Sequence, residues 1–441
     1  MLKFFKERGF RMNDKHQVLK WLDDHQSDLQ MLLSDMIRIP SYSGEEYNVQ
    51  QFISNYAKES GFDVVSRAFD EEQKRPCVLS TYRGKGDGKT LLLEAHSDTV
   101  KVQPYEKWNK DPFSGEFDGT WIHGRGAGDD KWGIAASMMA MKALKACNIQ
   151  LSGDVSLLTS VGEEVSKADR QNHGAGAMVA SMEKKPDFCV VCECSNMEIC
   201  PETPCDFLIK IKITGKANHV CLRTVSVFPQ PHTVMGRGHK GSVDALQKAT
   251  LVIDALYRLE TDLSINHDRG GLKGSGGTDT LNRMGVGAFT ICPIGIEGGA
   301  YNSVIGEINI QYAVQYPSCY TFEEVYNYIC ETVDGVARSD RWLRDNPPQI
   351  EILHESRGFS SDANNPAIAI MQNACSDALD FKGKVSCWIA SCDGEVINPH
   401  IPCVIFGPQA PNTHAANERI TLKEVLDCAK VFALTAMDYC K

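Results

Sequence analysis

No run of about 18 apolar residues occurs in this chain, so it offers no membrane-spanning helix. The N-terminal stretch Met1–Met12 places charges through any apolar segment, which excludes the hydrophobic core of a secretory signal; Met12 is an alternative start. Positive charge is in deficit. With 46 Lys and Arg against 57 Asp and Glu, the formal net charge of -11 argues against nucleic acid and anionic membrane surfaces as partners. Internal repeats and low-complexity tracts are also missing. Cysteine is not scarce: there are 17. An odd number in a long chain without a secretion signal argues against a disulfide framework and fits reduced thiols. A cytoplasmic protein is expected.

With 441 residues, 42% hydrophobic and 23% charged, the chain reads as globular and longer than one core usually organises. Helical spacing runs from Lys15 to Ile37, from Glu45 to Ser60 and from Trp132 to Ala146. Between and after these lie short apolar strands at Leu91–Ala95, Val155–Val161, Phe188–Cys192 and Ile401–Phe406, with a closing helix at Leu422–Cys440. This alternation predicts an α/β sheet with helices on its faces. The middle of the chain differs. Phe207–Thr214 alternates apolar and polar residues; then come a loop, a helix over Ser242–Leu259, strands near Val286–Gly295 and Ile308–Tyr316, a helix over Phe322–Val336 and a strand near Gln349–Leu353. The order βαββαβ is that of a ferredoxin-like unit. It is expected as an insertion, 206–355, within a catalytic α/β domain made of 1–205 and 356–441. Asp268–Gly277 reads as a surface loop.

Five side chains of metal-ligand type, His96, Asp129, Glu164, Glu193 and His414, each follow a predicted strand or a glycine turn. In open α/β sheets, ligands gather at the carboxyl ends of strands. His96 ends the Leu91–Ala95 strand, and Asp98 two residues on can hold its imidazole. Asp129 lies between the glycines of Gly124–Gly128 and a helix N-terminus, where its two oxygens can bridge two ions; Asp130 reads as a helix cap. Glu163 and Glu164 are adjacent at a strand end, so one can bind metal while the other accepts a proton from water. Cys192 and Cys194 flank Glu193 and read as small buried hydrophobes.

Together, Ala95–Asp98, Gly124–Lys131, Glu163–Glu164, Glu193 and Gly407–His414 resemble the M20 metallopeptidase family, which includes acetylornithine deacetylase, succinyl-diaminopimelate desuccinylase, aminoacylases and carboxypeptidase G-type enzymes. The likeness runs over nearly the whole chain. It implies that Asp129 bridges two Zn²⁺ ions per subunit, with His96 and Glu193 on one and Glu164 and His414 on the other; Co²⁺ or Mn²⁺ would also suit these donors. Glu163 would act as general base on metal-bound water and then as general acid, with Asp98 orienting His96. Gly215–His219 is similar to the family motif whose histidine, here His219, stabilises the oxyanion. Gly298–Asn302 is similar to a substrate-contacting segment, which makes Asn302 a substrate ligand. The resemblance also implies a homodimer joined through the inserted lid domain.

One departure bears on the substrate. Where much of the family carries a carboxylate-gripping arginine on the insertion's third strand, this chain has Gln315. Glutamine cannot replace a bidentate arginine clamp. Either another cation, Arg223 or Arg237, supplies the grip, or the substrate lacks a carboxylate there; His232 and His239 read as pocket-rim residues. Ser391–Gly394 likewise replaces a more usual Gly-Ser-Asp phrase, leaving the role of Asp393 open. The expected activity is hydrolysis of an amide bond in a small N-acyl amino acid, N-acyl amine or dipeptide. The alternatives are a short-peptide peptidase, a non-catalytic metal-binding scaffold of the same fold, and a cysteine-nucleophile amidase. The last lacks any cysteine in a motif with an activating histidine.

Overall fold

The structure is a computed structural model describing residues 12–72, 74–220, 241–266, 289–299, 301–356, 358–379 and 381–441. The chain divides into two compact units at Glu202/Thr203 and again at Gly358/Phe359. No described helix is long and apolar enough to cross a membrane.

The unit made of the two ends of the chain is built on an eight-stranded sheet. Its spatial order is Asp63–Ala68, Pro76–Tyr82, Val155–Ser160, Leu91–His96, Phe188–Cys192, Cys403–Phe406, Ile199–Glu202 and Val385–Cys387. The four strands from Val155–Ser160 through Cys403–Phe406 run parallel. Parallel strands are covered on both faces, which explains why these four are rich in apolar residues and buried along their length. Alternate residues serve opposite cores. Leu91, Leu93 and Ala95 join one cluster with the helices Met12–Asp24, Gln26–Ile37, Lys131–Ala146, Pro366–Leu379 and Leu422–Tyr439. Leu92, Cys189, Val191 and Ile405 face the other cluster, with the helices Ala175–Ser181 and Gly394–Ile397.

Two details differ from the sequence reading. The single helix expected over Lys15–Ile37 is two, separated at His25. The antiparallel pair Asp63–Ala68 and Pro76–Tyr82 extends the sheet where no strand was expected.

The second unit carries a four-stranded antiparallel sheet in the order Thr290–Gly298, Glu307–Tyr316, Cys205–Thr214, Gln349–Ser356. Helices Ala245–Asn266 and Phe322–Ser339 share its core. Phe207, Ile209, Ile211 and Ile213 are buried, while the residues between them are partly exposed, as period-two alternation requires. Thr321 and Glu324 close a capping box at the start of the Phe322–Ser339 helix. The βαββαβ order stands. A ribbon of Asn218–His219 against Ser303–Val304 is added to it. The loop expected at Asp268–Gly277 lies outside the described residues.

Candidate active site

The parallel strands deliver their side chains to one edge. His96 is the last residue of its strand, Glu163 and Glu164 follow Val155–Ser160, and Glu193 follows Phe188–Cys192. His414 lies on the loop after Cys403–Phe406 with a left-handed backbone, φ 60°. Gly162, φ +75°, turns the chain into Glu163; a Cβ there would lie 2.0 Å from Oδ2 of Asp169, so only glycine fits. Asp169 is held by Arg75 (Nη2 to Oδ2, 2.8 Å), which also donates to the buried Glu46 at 2.8 Å. An ion network thus braces the turn that presents the two glutamates.

Asp129 sits between two imidazoles. His96 Nε2 is 2.7 Å from Oδ1, and His414 Nε2 is 3.0 Å from Oδ2. His414 Nε2 also lies 2.9 Å from Oε2 of Glu164. Donor atoms of His96, Asp129 and Glu164 all fall within 4.8 Å of one another. Nδ1 of His96 donates to the carbonyl of Asp98 at 3.0 Å. The Asp98 carboxylate in turn accepts from Ser43 Oγ (2.7 Å) and from the N–H groups of Glu163 (3.1 Å) and Glu164 (3.2 Å). One aspartate therefore orients a histidine and the glutamate turn at once.

The electrostatics call for cations. Burial alone would lower the His96 imidazole, but the carboxylates of Asp129 and Asp98 hold it well above its usual value. Hydrogen bonds donated to the Asp129 and Glu164 carboxylates raise His414 to about 10. Burial pushes Glu163, Glu164 and Glu193 above the ordinary carboxylate range, with nearby acids adding to the effect. A cluster of carboxylates and imidazoles in contact, buried at His96 and Glu193 and exposed at His414, is satisfied by protons or by metal, and oxygen and nitrogen donors of this kind suit zinc, cobalt or manganese. Asp129 offers a separate oxygen to each side of the cluster, as a shared carboxylate must. The residues present fit bound metal.

A cleft of about 520 Å³ opens over these groups. Asp129, Glu163, Glu164, Glu193 and His414 line it, with Arg170, Trp388, Ile389 and Ser391 forming its further wall. Glu163 is paired with Arg170 at 3.1 Å, and Arg170 also donates to Ser391 Oγ at 2.8 Å. Asp130 occupies the cap position of the Lys131–Ala146 helix but makes no capping hydrogen bond and is buried; its expected cap role is corrected on that point. Cys192 is a core residue, whereas Cys194 is partly exposed, lines the cleft and donates to the Gly128 carbonyl at 2.9 Å. Asp393 is buried, sharing Ser160 Oγ with Glu94.

His219 and Asn302 belong to the second unit. His219 is exposed and pairs with Ser303; Asn302, φ 61°, immediately precedes that strand and accepts from the N–H of Val220 at 3.2 Å. Gln315 lies on the sheet face opposite the buried Val314 and Tyr316. Arg223, Arg237, His232 and His239 lie outside the described residues.

Sequence reasoning overlooked Arg170, Lys131 and the pair Arg125–Glu418. Lys131 is fully buried and donates to the carbonyls of Met36 (3.0 Å) and Ile39 (2.9 Å), tying the end of the Gln26–Ile37 helix to the turn that carries Asp129. Only Lys131 had a local signal, as a lysine directly after two acids at a helix start.

A model of the peptidase family M20/M25/M40 matches residues 92–438. The chain belongs to that family. As a member it is a hydrolase of amide or peptide bonds. N-formyl-4-amino-5-aminomethyl-2-methylpyrimidine deformylase of Halalkalibacterium halodurans is 25% identical over 98% of this chain and 99% of its own. Succinyl-diaminopimelate desuccinylase of Methylocella silvestris is 23% identical over 93% and 97%. Among solved structures, human carnosine dipeptidase 1 superposes with a TM-score of 0.68 at 14% identity, covering 98% of this chain and 100% of its own. The M20 protein YXEP of Bacillus subtilis, a dinuclear metal binding peptidase, gives 0.62 at 14% identity, covering 94% and 98%. These structures share the mixed α/β sheet with a separate smaller sheet.

Proposed function

We propose that this M20 hydrolase is a dinuclear, zinc-type amidohydrolase that releases an amine from a small N-acyl amine. The observation that carries the reading is the Asp129 carboxylate set between His96 and His414, with Glu163 beside it in the same cleft. His96, Asp129 and Glu193 would hold one ion, and Asp129, Glu164 and His414 the other. When bound, the ions would polarise the scissile carbonyl and lower the pKa of the attacking water. Glu163 takes the proton of the attacking water and delivers it to the leaving nitrogen; burial raises its pKa above that of an exposed carboxyl. Asp98 fixes the His96 ring, and Arg170, itself held by Ser391, fixes Glu163. His219 is assigned to the oxyanion on its motif, Gly215–His219.

Two points support an N-acyl amine over an N-acyl amino acid. Gln315 stands where a carboxylate-binding arginine would, and relatives matching nearly end to end include an N-formyl amine deformylase. A non-catalytic scaffold is disfavoured because the base and all five donors are present. We further propose a homodimer through the second unit, whose edge strand Thr290–Gly298 exposes Ile294 and Ile296. We place the protein in a reducing cytoplasm, since every described cysteine is a free thiol.

The test is amine release from a panel of N-acyl amines, N-acyl amino acids and dipeptides, with Glu163→Ala alongside. Preferred release from amines lacking a carboxylate, abolished by the substitution, is the expected result. Preferred cleavage of dipeptides would replace this reading with a peptidase. A protein holding two metals yet silent across the panel would favour the scaffold.

A further inference from the structure

Behind the bridging acid lies a second carboxylate. Glu418 is fully buried, and its Oε1 accepts three backbone N–H groups: Gly126 (3.0 Å), Gly128 (2.8 Å) and Asp129 (3.1 Å). Its other oxygen pairs with Nη1 of Arg125, itself 1% exposed and stacked over the Trp108 ring at 5.4 Å. The contacts continue through the backbone. Gly124 N–H donates to the Glu418 carbonyl at 3.0 Å, and Arg125 Nη2 donates to the Ala415 carbonyl at 3.3 Å. The next residue, Arg419, starts a strand in register with His123, just ahead of the same turn.

The consequence is geometric. Asp129 ends the glycine turn that Glu418 gathers, while His414 lies four residues before Glu418 on the opposing segment. One carboxylate therefore clips together the two segments carrying the donors whose atoms meet at 3.0 Å. The fit is close on both sides. A Cβ at Gly128 would lie 2.5 Å from the Cβ of Ala410 and 3.5 Å from Oε1 of Glu418. A turn with three inward N–H groups needs an acceptor able to serve them all, and a carboxylate backed by arginine does so more strongly than a neutral group.

We infer that Glu418, backed by Arg125, is a positioning residue that sets the spacing of Asp129 and His414 and so the affinity of the metal pair. The inference rests on the two-metal reading above. It assigns Glu418 no contact with substrate or metal. Groups that orient metal ligands from behind typically change metal affinity about 10–100-fold when removed.

The experiment is a zinc titration against a competing chelator, with the d–d spectrum of the cobalt-loaded protein as a second readout. Glu418→Gln keeps the side-chain size and one acceptor oxygen but removes the charge facing Arg125. Because that leaves a buried guanidinium unpaired, the double variant Arg125→Met with Glu418→Gln is titrated too. A core variant on the closing helix, Phe432→Leu, controls for lost stability alone. Weakening of zinc affinity by about 10–100-fold in both Glu418 variants, an altered cobalt spectrum, and unchanged affinity in Phe432→Leu are expected. Wild-type affinity for both ions in both Glu418 variants would overturn the inference, as would equal weakening in Phe432→Leu. A wild-type protein that takes up no divalent ion removes the metal site itself, and the inference falls with it.

Discussion

Replacing Glu163 by glutamine separates proton transfer from metal binding. The Glu163 carboxylate is buried and contacts Arg170 at 3.1 Å, whereas the imidazoles converge on Asp129 and Glu164. Positioned acid–base groups contribute about 10²–10⁴-fold each, and this one is used twice, to accept and then to donate. Glutamine does neither, so kcat should fall by about 10⁴, or roughly 5 kcal/mol at 1.36 kcal/mol per decade. Stability should barely move. Glutamine still accepts from Arg170, and the charge it removes is one that burial disfavours. Removing one of the two charges from the Arg170 hydrogen bond costs about 1 kcal/mol, a shift of about 1 °C in the Tm of a chain this long. Steady-state amine release, metal analysis and a thermal melt on one preparation check all three. Activity within tenfold of wild type would refute the assignment of the base. Metal loss in step with activity would make Glu163 a ligand instead.

Other consequences are open to measurement. Gly407→Ala places a Cβ 2.3 Å from the Glu193 carbonyl and 2.4 Å from the Trp132 ring; overpacking of this kind costs about 1–3 kcal/mol, read as a lower Tm with weaker zinc retention. In chelated protein, His414 titrates at about 10, against about 6.5 unfolded. Its protonated form therefore contributes stability in full below pH 6.5, lost as pH rises through 10. Melts of chelated protein should fall across that window and those of zinc-loaded protein should not, while zinc uptake should release protons into a weak buffer. Gln315→Arg supplies the missing cation, and its kcat/KM for N-acyl amino acids over N-acyl amines should rise at least about tenfold; an unchanged ratio would remove Gln315 from substrate selection.

The legible parts of the sequence are those in which one local pattern carries the information. The Leu91–Ala95 strand is apolar but for Glu94, and it ends in the ligand-type residue His96. The alternation of Phe207–Thr214 likewise declares a half-covered sheet. Glu418 has no such signal. In Asn-Glu-Arg it looks like a solvated charge, and the N–H groups it gathers lie 289 to 292 residues away. Arg170 was hidden in the same way within the polar run Lys167–Asn172, whose partners Glu163 and Ser391 are set by folding. The break at His25 was missed because apolar spacing continues across it, with Leu22 and Leu29 both in the core. The edge strand Asp63–Ala68 is largely exposed and lacks the alternation that would have marked it.

The central claim is that the strand ends hold two metal ions through a shared aspartate. Metal analysis of the purified wild-type protein beside Asp129→Asn and Glu193→Gln tests it most directly. Two equivalents in the wild type, near-complete loss in Asp129→Asn and loss of one ion in Glu193→Gln are predicted. A single equivalent in the wild type, or two retained by Asp129→Asn, would contradict the shared centre.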